Sequence, residues 1–204
     1  MGESNSIVLH NGVDTEILSN SISKLWNQRE GLVFVVNLKR FNEERGIDFI
    51  IDAFNNSKFL QDCKLSIVGG PNHEAEKLEV KITELNLQEV IKVTGRLERS
   101  EIGEVYANSS IGILINSSSN LHSYKYTSPL KYFEYVYMGL KVIGVDFPSH
   151  RTLPMNNEIN FFQENDIFSF ETAVKQALEK DLPVDIDKED LSLNTRAKKI
   201  ISLL

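Results

Sequence analysis

The sequence predicts an α/β protein on a doubly wound parallel sheet of about six strands, and two observations carry that prediction. Six short runs are predominantly apolar, the mark of strands buried on both faces. Between them lie segments whose apolar residues recur with helical spacing, so strand and helix alternate along the chain.

The first run, Leu32–Val36, leads to Ile47, Ile50, Ile51 and Phe54 at i, i+3, i+4 and i+7, one face of a helix. Leu65–Val68 is the second strand, and Leu78, Ile82 and Leu85 face inward from the helix after it. Val90–Val93 is the third, followed by a helix carrying Ile102, Val105 and Tyr106. The fourth, Ile111–Ile115, precedes an unusually long connection, Ser117 to Thr127, rich in Ser and interrupted by Tyr124, Lys125 and Tyr126. A connection of that size in a compact sheet protein is more often functional than a short one. Ser128 as N-cap and Pro129 at the first helical position then open a helix. Val142–Val145 and Ile159–Phe162 complete the strands, and Ile167, Phe170, Val174, Ala177 and Leu178 form the stripe of a further helix. From about Pro183 the tail is acidic (Asp185, Asp187, Glu189, Asp190), then helical with Ala197, Ile200, Ile201 and Leu204 on one face. The expected division is a sheet domain over 1–182 and a tail over 183–204, whose helix packs on that domain or on a partner.

Composition narrows the function. The 204 residues carry 22 basic and 29 acidic side chains, a net charge of −7, with 41% apolar and 25% charged residues. That balance suits one globular domain, and without a long basic stretch it disfavours nucleic acid as the main partner. Glu3 and Asn5 stand where a signal peptide carries basic residues, and the longest apolar runs are about five residues. Neither secretion nor a membrane span is expected. A single cysteine, Cys63, excludes an internal disulfide framework and multi-cysteine zinc sites, fits a reducing cytoplasm, and reads as a small core residue.

In an open parallel sheet ligands bind beyond the carboxyl ends of the strands, so the residues just after each run matter most. After Val36, Arg40 and Arg45 flank a strand-to-helix turn. Spacing alone reads them as surface pairs of Glu43 and Glu44, although two guanidinium groups there could grip a diphosphate. After Val68, Gly69-Gly70-Pro71 lets backbone approach a ligand or simply turn, and it lacks the three spaced glycines of a dinucleotide fingerprint. Thr94-Gly95-Arg96-Leu97 is another tight turn. At the helix opened by Ser128 and Pro129, the free N–H groups of Leu130 and Lys131 face the ligand edge, where the dipole favours an anion. Glu134, one turn on, offers acceptors that suit two ribose hydroxyls, and apolar Phe133, Tyr135, Val136 and Tyr137 around it disfavour a solvated face.

His10-Asn11-Gly12-Val13-Asp14, Arg40…Arg45-Gly46-Ile47-Asp48, Ile67-Val68-Gly69-Gly70-Pro71, Val93-Thr94-Gly95 and Ser128-Pro129-Leu130-Lys131-Tyr132-Phe133-Glu134-Tyr135…Gly139…Val142-Ile143 occur in that order. Over roughly residues 7 to 181 the chain resembles the C-terminal, nucleotide-sugar-binding domain of group 1 (family 4) glycosyltransferases. Those enzymes have the GT-B architecture of two facing Rossmann-like domains, of which this chain matches one half.

The resemblance implies a Rossmann-like fold and a retaining transfer of a hexosyl group from a UDP- or GDP-type donor to a glycan or lipid-linked acceptor, as in polysaccharide biosynthesis. It places Arg40 and Arg45 on the leaving diphosphate, Glu134 on the donor ribose, and Arg96 and Leu97 near the base. Gly70, Ser128, Pro129, Leu130 and Lys131 complete the nucleotide-sugar site. Tyr126 stands where many members have a sugar-contacting glutamate, and Lys141 replaces a common proline. No metal cofactor is expected, and Asp185-Ile186-Asp187, which copies an Asp-x-Asp metal motif, reads as a solvated charge run. His10, His73, His122 and His150 are not expected to act as a catalytic base. An N-terminal acceptor domain, or a separate subunit, is the implied partner, without which the chain is expected to be inactive. That missing half could bring it to the inner face of the membrane. The competing readings are a non-catalytic nucleotide-sugar-binding module and a sugar-nucleotide epimerase of the same fold.

Overall fold

A computed structural model describes residues 9–19, 25–38, 46–179 and 188–203. In chain order its strands are β1 Leu32–Val35, β2 Leu65–Val68, β3 Ile91–Thr94, β4 Ile111–Leu114, β5 Lys141–Val145 and β6 Ile159–Phe162. Its helices are α1 Thr15–Ser19, α2 Ile47–Asn56, α3 Lys58–Gln61, α4 Asn72–Glu84, α5 Arg99–Asn108, α6 Leu121–Lys125, α7 Leu130–Tyr137, α8 Pro148–Arg151, α9 Ile167–Glu179 and α10 Leu193–Ile201. Every strand pairing is parallel, in the order β3-β2-β1-β4-β5-β6. This is the doubly wound, Rossmann-like arrangement, and the expected strands fall within a residue or so of the observed ones.

The predominantly apolar runs arise because alternate strand residues enter two separate cores. Leu32, Phe34, Ile111, Ile113, Ile143 and Val145 pack with α2, α4 and α9. Val33, Leu114 and Val142 point the other way, into a core with α5, α7 and Val13. Both faces of the central strands are covered, so the period-2 signal of a half-exposed strand is lost there; only the edge strand β3 keeps it, with Lys92 exposed between buried Ile91 and Val93.

The long Ser117–Thr127 connection is not structureless. Asn120 Oδ1 accepts the Ser123 N–H at 3.1 Å and caps the short helix α6, a side-chain signal within a Ser-rich stretch that carries no apolar stripe. In the tail, Ser192 bridges to Val13, and Leu191 is buried in the α5–α7 core. Ile200 and Ile201 on α10 stay exposed, at 40% and 69%. Cys63 lies half-buried after α3, against the core and within 3.5 Å of the Phe59 carbonyl.

Candidate functional site

β1 and β4 lie side by side at the middle of the sheet, where the chain's winding reverses, and pair through only Leu32↔Ile111 and Val33↔Gly112. Beyond that point the hydroxyl of Tyr135, from α7, takes over. It accepts the Val35 N–H at 3.2 Å and donates to the Ile113 carbonyl at 3.4 Å. The ring reaches this position because residue 112 is glycine: a Cβ there would stand 2.4 Å from the Tyr135 ring. Two clefts open beyond the wedge, of about 390 Å³ and 610 Å³, and share Val35, Val36, Asn37 and Lys131 in their walls. Such a crevice at the switch point is where open α/β sheets bind ligands.

The N-terminus of α7 forms one wall of the smaller cleft, with Ser128, Pro129, Leu130 and Lys131 lining it. The cap differs from expectation by one residue. Pro129, extended at φ −70° and ψ 123°, is the N-cap, and no side chain caps the helix. The Ser128 hydroxyl is instead engaged across the cleft, accepting the Asn11 N–H at 3.2 Å, while Asn11 Nδ2 donates to the Ser128 carbonyl at 2.5 Å. This leaves the first-turn N–H groups without a capping side chain, at the positive end of the helix dipole.

Glu134 is held in place from two sides. The Tyr106 hydroxyl, fully buried, donates to its Oε2 at 2.6 Å, and Lys131 Nζ donates to the same oxygen at 3.0 Å. Burial, and then the Glu134 charge, push the Tyr106 phenol well above its ordinary range, so it remains a donor. The sequence assigns Lys131 and Glu134 to separate parts of a donor; the structure pairs them as one partly buried unit. Both contacts fall on Oε2. Glu134 and Lys131 line a third cavity of about 230 Å³ together with Asp14 and Arg99, whose Oδ2 and Nη1 atoms are 3.6 Å apart.

Gly70, Arg96 and Leu97 come together in the larger cleft. The Arg96 N–H is engaged by Asn72 Oδ1 at 3.0 Å. A Cβ on Gly70 would meet Arg96 Cβ at 3.2 Å, so glycine lets these two turns pack together. Tyr126 does not join the others: it ends α6 with 68% of its surface exposed, 6.4 Å from the His122 ring, and is not part of the cleft wall. Arg40 and Arg45 lie outside the described residues, as do Asp185 and Asp187.

Four site residues are not apparent from the sequence: Arg99, Tyr106, Asn116 and His150. Arg99 carries no motif signal, and Tyr106 reads as core because its ring is core. His150, on α8, is fully buried, with Nδ1 2.8 Å from the Val145 carbonyl and Nε2 3.5 Å from Asn116 Nδ2. Burial depresses its pKa and favours the neutral ring, against the Val145 carbonyl contact and, less strongly, nearby Asp146. That carboxylate is in turn held below its usual range by a bidentate contact with Arg151, at 2.7 and 2.9 Å. Proline at the start of α8 and an apolar setting are the only signals the sequence offers there.

Among the described residues no three His, Cys, Asp or Glu side chains converge as metal ligands, and no helix is long and apolar enough to cross a membrane. The family model for glycosyl transferases group 1 matches residues 20–199. A search of curated proteins finds no match. Among solved structures, the chain is similar to a glycosyltransferase from Rickettsia africae ESF-5, with TM-score 0.69 and 17% identity over 97% of this chain and 56% of that one. The lipopolysaccharide outer core galactosyltransferase WaaB, in apo form, gives TM-score 0.64 and 15% identity over 97% and 56%. Anabaena Alr3699/HepE, in complex with UDP and glucose, gives 0.59 and 13% over 87% and 48%. The chain thus spans about half the length of the structures it matches. At these identities the structures speak for the fold, while the family match covers most of the sequence: the chain belongs to the group 1 glycosyl transferases.

Proposed function

We infer that the chain holds the nucleotide-sugar donor of a retaining glycosyltransferase, with a UDP- or GDP-type diphosphate across the β1/β4 crevice. The observation that carries this reading is the α7 N-terminus, where uncapped amides, Lys131 and a braced Glu134 stand within one helical turn of each other beside the clefts. In this arrangement Glu134 Oε1 accepts from ribose hydroxyls, and the base lies along Gly70, Arg96 and Leu97 in the larger cleft. The diphosphate lies against the first turn of α7 and Lys131.

Glycosyl transfer breaks the bond between the sugar's anomeric carbon and the β-phosphate oxygen, and negative charge builds on that phosphate as it leaves. Oriented amides and a fixed ammonium stabilise this charge without having to reorganise. Arg40 and Arg45 are assigned to the same phosphate from the sequence resemblance, with no metal required. The acceptor, a glycan or lipid-linked sugar, is met by a second domain or subunit, a reading supported by the half-length coverage of the matched structures. A peripheral place at the inner membrane face would come through that partner.

Isothermal titration with UDP, GDP and ADP tests the donor assignment. Binding of UDP or GDP in preference to ADP is expected, with Glu134→Ala weakening it by about 1–3 kcal/mol through the lost hydrogen bonds. Absence of heat with all three would refute it. A chain that binds donor but neither hydrolyses nor transfers it when alone matches a donor-binding half. Turnover at a normal enzymatic rate would reject that part.

A further inference from the structure

The smaller cleft differs in chemistry from the larger one. Its polar lining is mostly uncharged: Asn11, Asn116, Thr127, Ser128 and His150, with Asn37 and Lys131 at the margin shared with the nucleotide cleft. Such a wall suits a ligand part that carries hydroxyls and no charge. His150 sets the orientation of one of these groups. Its Nδ1 lies 2.8 Å from the Val145 carbonyl, which can only accept, so Nδ1 carries the hydrogen. Nε2 is then a lone pair, and the group facing it at 3.5 Å must be a donor, the Nδ2 of Asn116. The amide plane is fixed by that choice, and Asn116 Oδ1 is left as an acceptor at the end of β4. The imidazole cannot swing away: it is wholly buried, and the Phe147 ring stacks over it at 6.0 Å and 23°.

We propose that Asn116 is a specificity-determining contact to a hydroxyl of the transferred glycosyl group, a neutral polyhydroxyl sugar seated in this cleft, and that buried His150 is the positioning residue that turns its amide. The inference rests on the donor-binding reading above and adds residues that neither the motifs nor the family match singled out. His150 itself touches no substrate. It acts through Asn116, and its lone pair, not its proton, is what the arrangement uses.

The test compares a nucleoside diphosphate with its sugar conjugate, by titration calorimetry on the chain and its variants. UDP is paired with UDP-glucose, GDP with GDP-mannose and ADP with ADP-glucose, and the pair whose nucleotide binds is carried forward. His150→Leu and Asn116→Ala are expected to leave the nucleoside diphosphate Kd within about twofold and to weaken the sugar conjugate about five- to tenfold, the effect of one lost hydrogen bond. His150→Gln, whose Oε1 can accept from Asn116 as Nε2 does, is expected to recover most of the conjugate's affinity. A rescue of this kind is not expected if His150 merely fills space. Equal weakening of nucleotide and conjugate, or no change in either, overturns the proposal while leaving the donor-binding reading intact. Failure of every nucleotide to bind the unaltered chain overturns both. If His150→Leu melts without cooperativity, Asn116→Ala and His150→Gln decide the matter by the same comparison.

Discussion

Tyr106→Phe isolates one hydrogen bond in the candidate site. The ring is fully buried and meets Tyr135 edge-on, with centroids 5.3 Å apart, so phenylalanine keeps the packing and loses only the hydroxyl. That hydroxyl donates to a carboxylate at 2.6 Å, a charge-assisted bond of the class worth about 1.5–3 kcal/mol. Glu134 is partly exposed and keeps Lys131, which discounts the value toward about 2 kcal/mol. For a domain of this size about 2 kcal/mol corresponds to a fall in Tm of about 4–8 °C. Urea denaturation of the parent, Tyr106→Phe, Glu134→Ala and the double variant gives the coupling directly. A coupling energy above about 0.5 kcal/mol is expected, because removing either partner also removes the other's role. Additive single changes, or a Tyr106→Phe variant as stable as the parent, would refute the claim that Tyr106 braces Glu134.

The same geometry sets three other outcomes. Gly112→Ala places a methyl 2.4 Å from the Tyr135 ring and is expected to cost about 3 kcal/mol or to abolish soluble expression, read by thermal melting. Lys131→Met removes the ammonium shared by the three cavities and is expected to weaken nucleoside diphosphate binding about tenfold or more in titration calorimetry. The third concerns acid. The folded pKa of His150 is depressed by burial, so below the ordinary histidine value the unfolded chain binds a proton that the folded one refuses. Asp146, its facing charge, is likewise depressed by Arg151 and works in the same direction further into acid. Stability is therefore fully present above about pH 6.5 and falls as pH drops toward the folded pKa, by at most about 1.4 kcal/mol per pH unit per proton. His150→Gln should flatten the histidine part of that slope in denaturation curves taken from pH 7.5 to 5; an unchanged slope would remove His150 from the account.

The sheet is readable in the sequence because burial on both faces makes its central strands predominantly apolar, and the parallel order comes from the helices between them. The α7 start is readable because proline and a polar residue mark helix entry within one residue even when the cap itself differs. The meeting of side chains from distant elements is not readable in this way. Tyr106 and Glu134 are 28 positions apart, and Asn116 and His150 are 34 apart. Local periodicity carries nothing about such pairs, and it classes Tyr106 as core because burial of its ring and use of its hydroxyl are compatible. The Lys131–Glu134 pair needs the helix as well: their three-residue spacing brings the two side chains together only once α7 has formed.

Tyr135 has a consequence for how this site could evolve. It comes directly after Glu134 in α7 and ties β1 to β4 through the hydroxyl, so the wall that meets the ligand and the seam between the two halves of the sheet are one rigid piece. Shifting α7 to admit a larger or differently shaped donor would break the seam. A lineage built on this scaffold can therefore change its substrate by exchanging side chains along the cleft, as at Asn116, far more readily than by moving the helix that carries them.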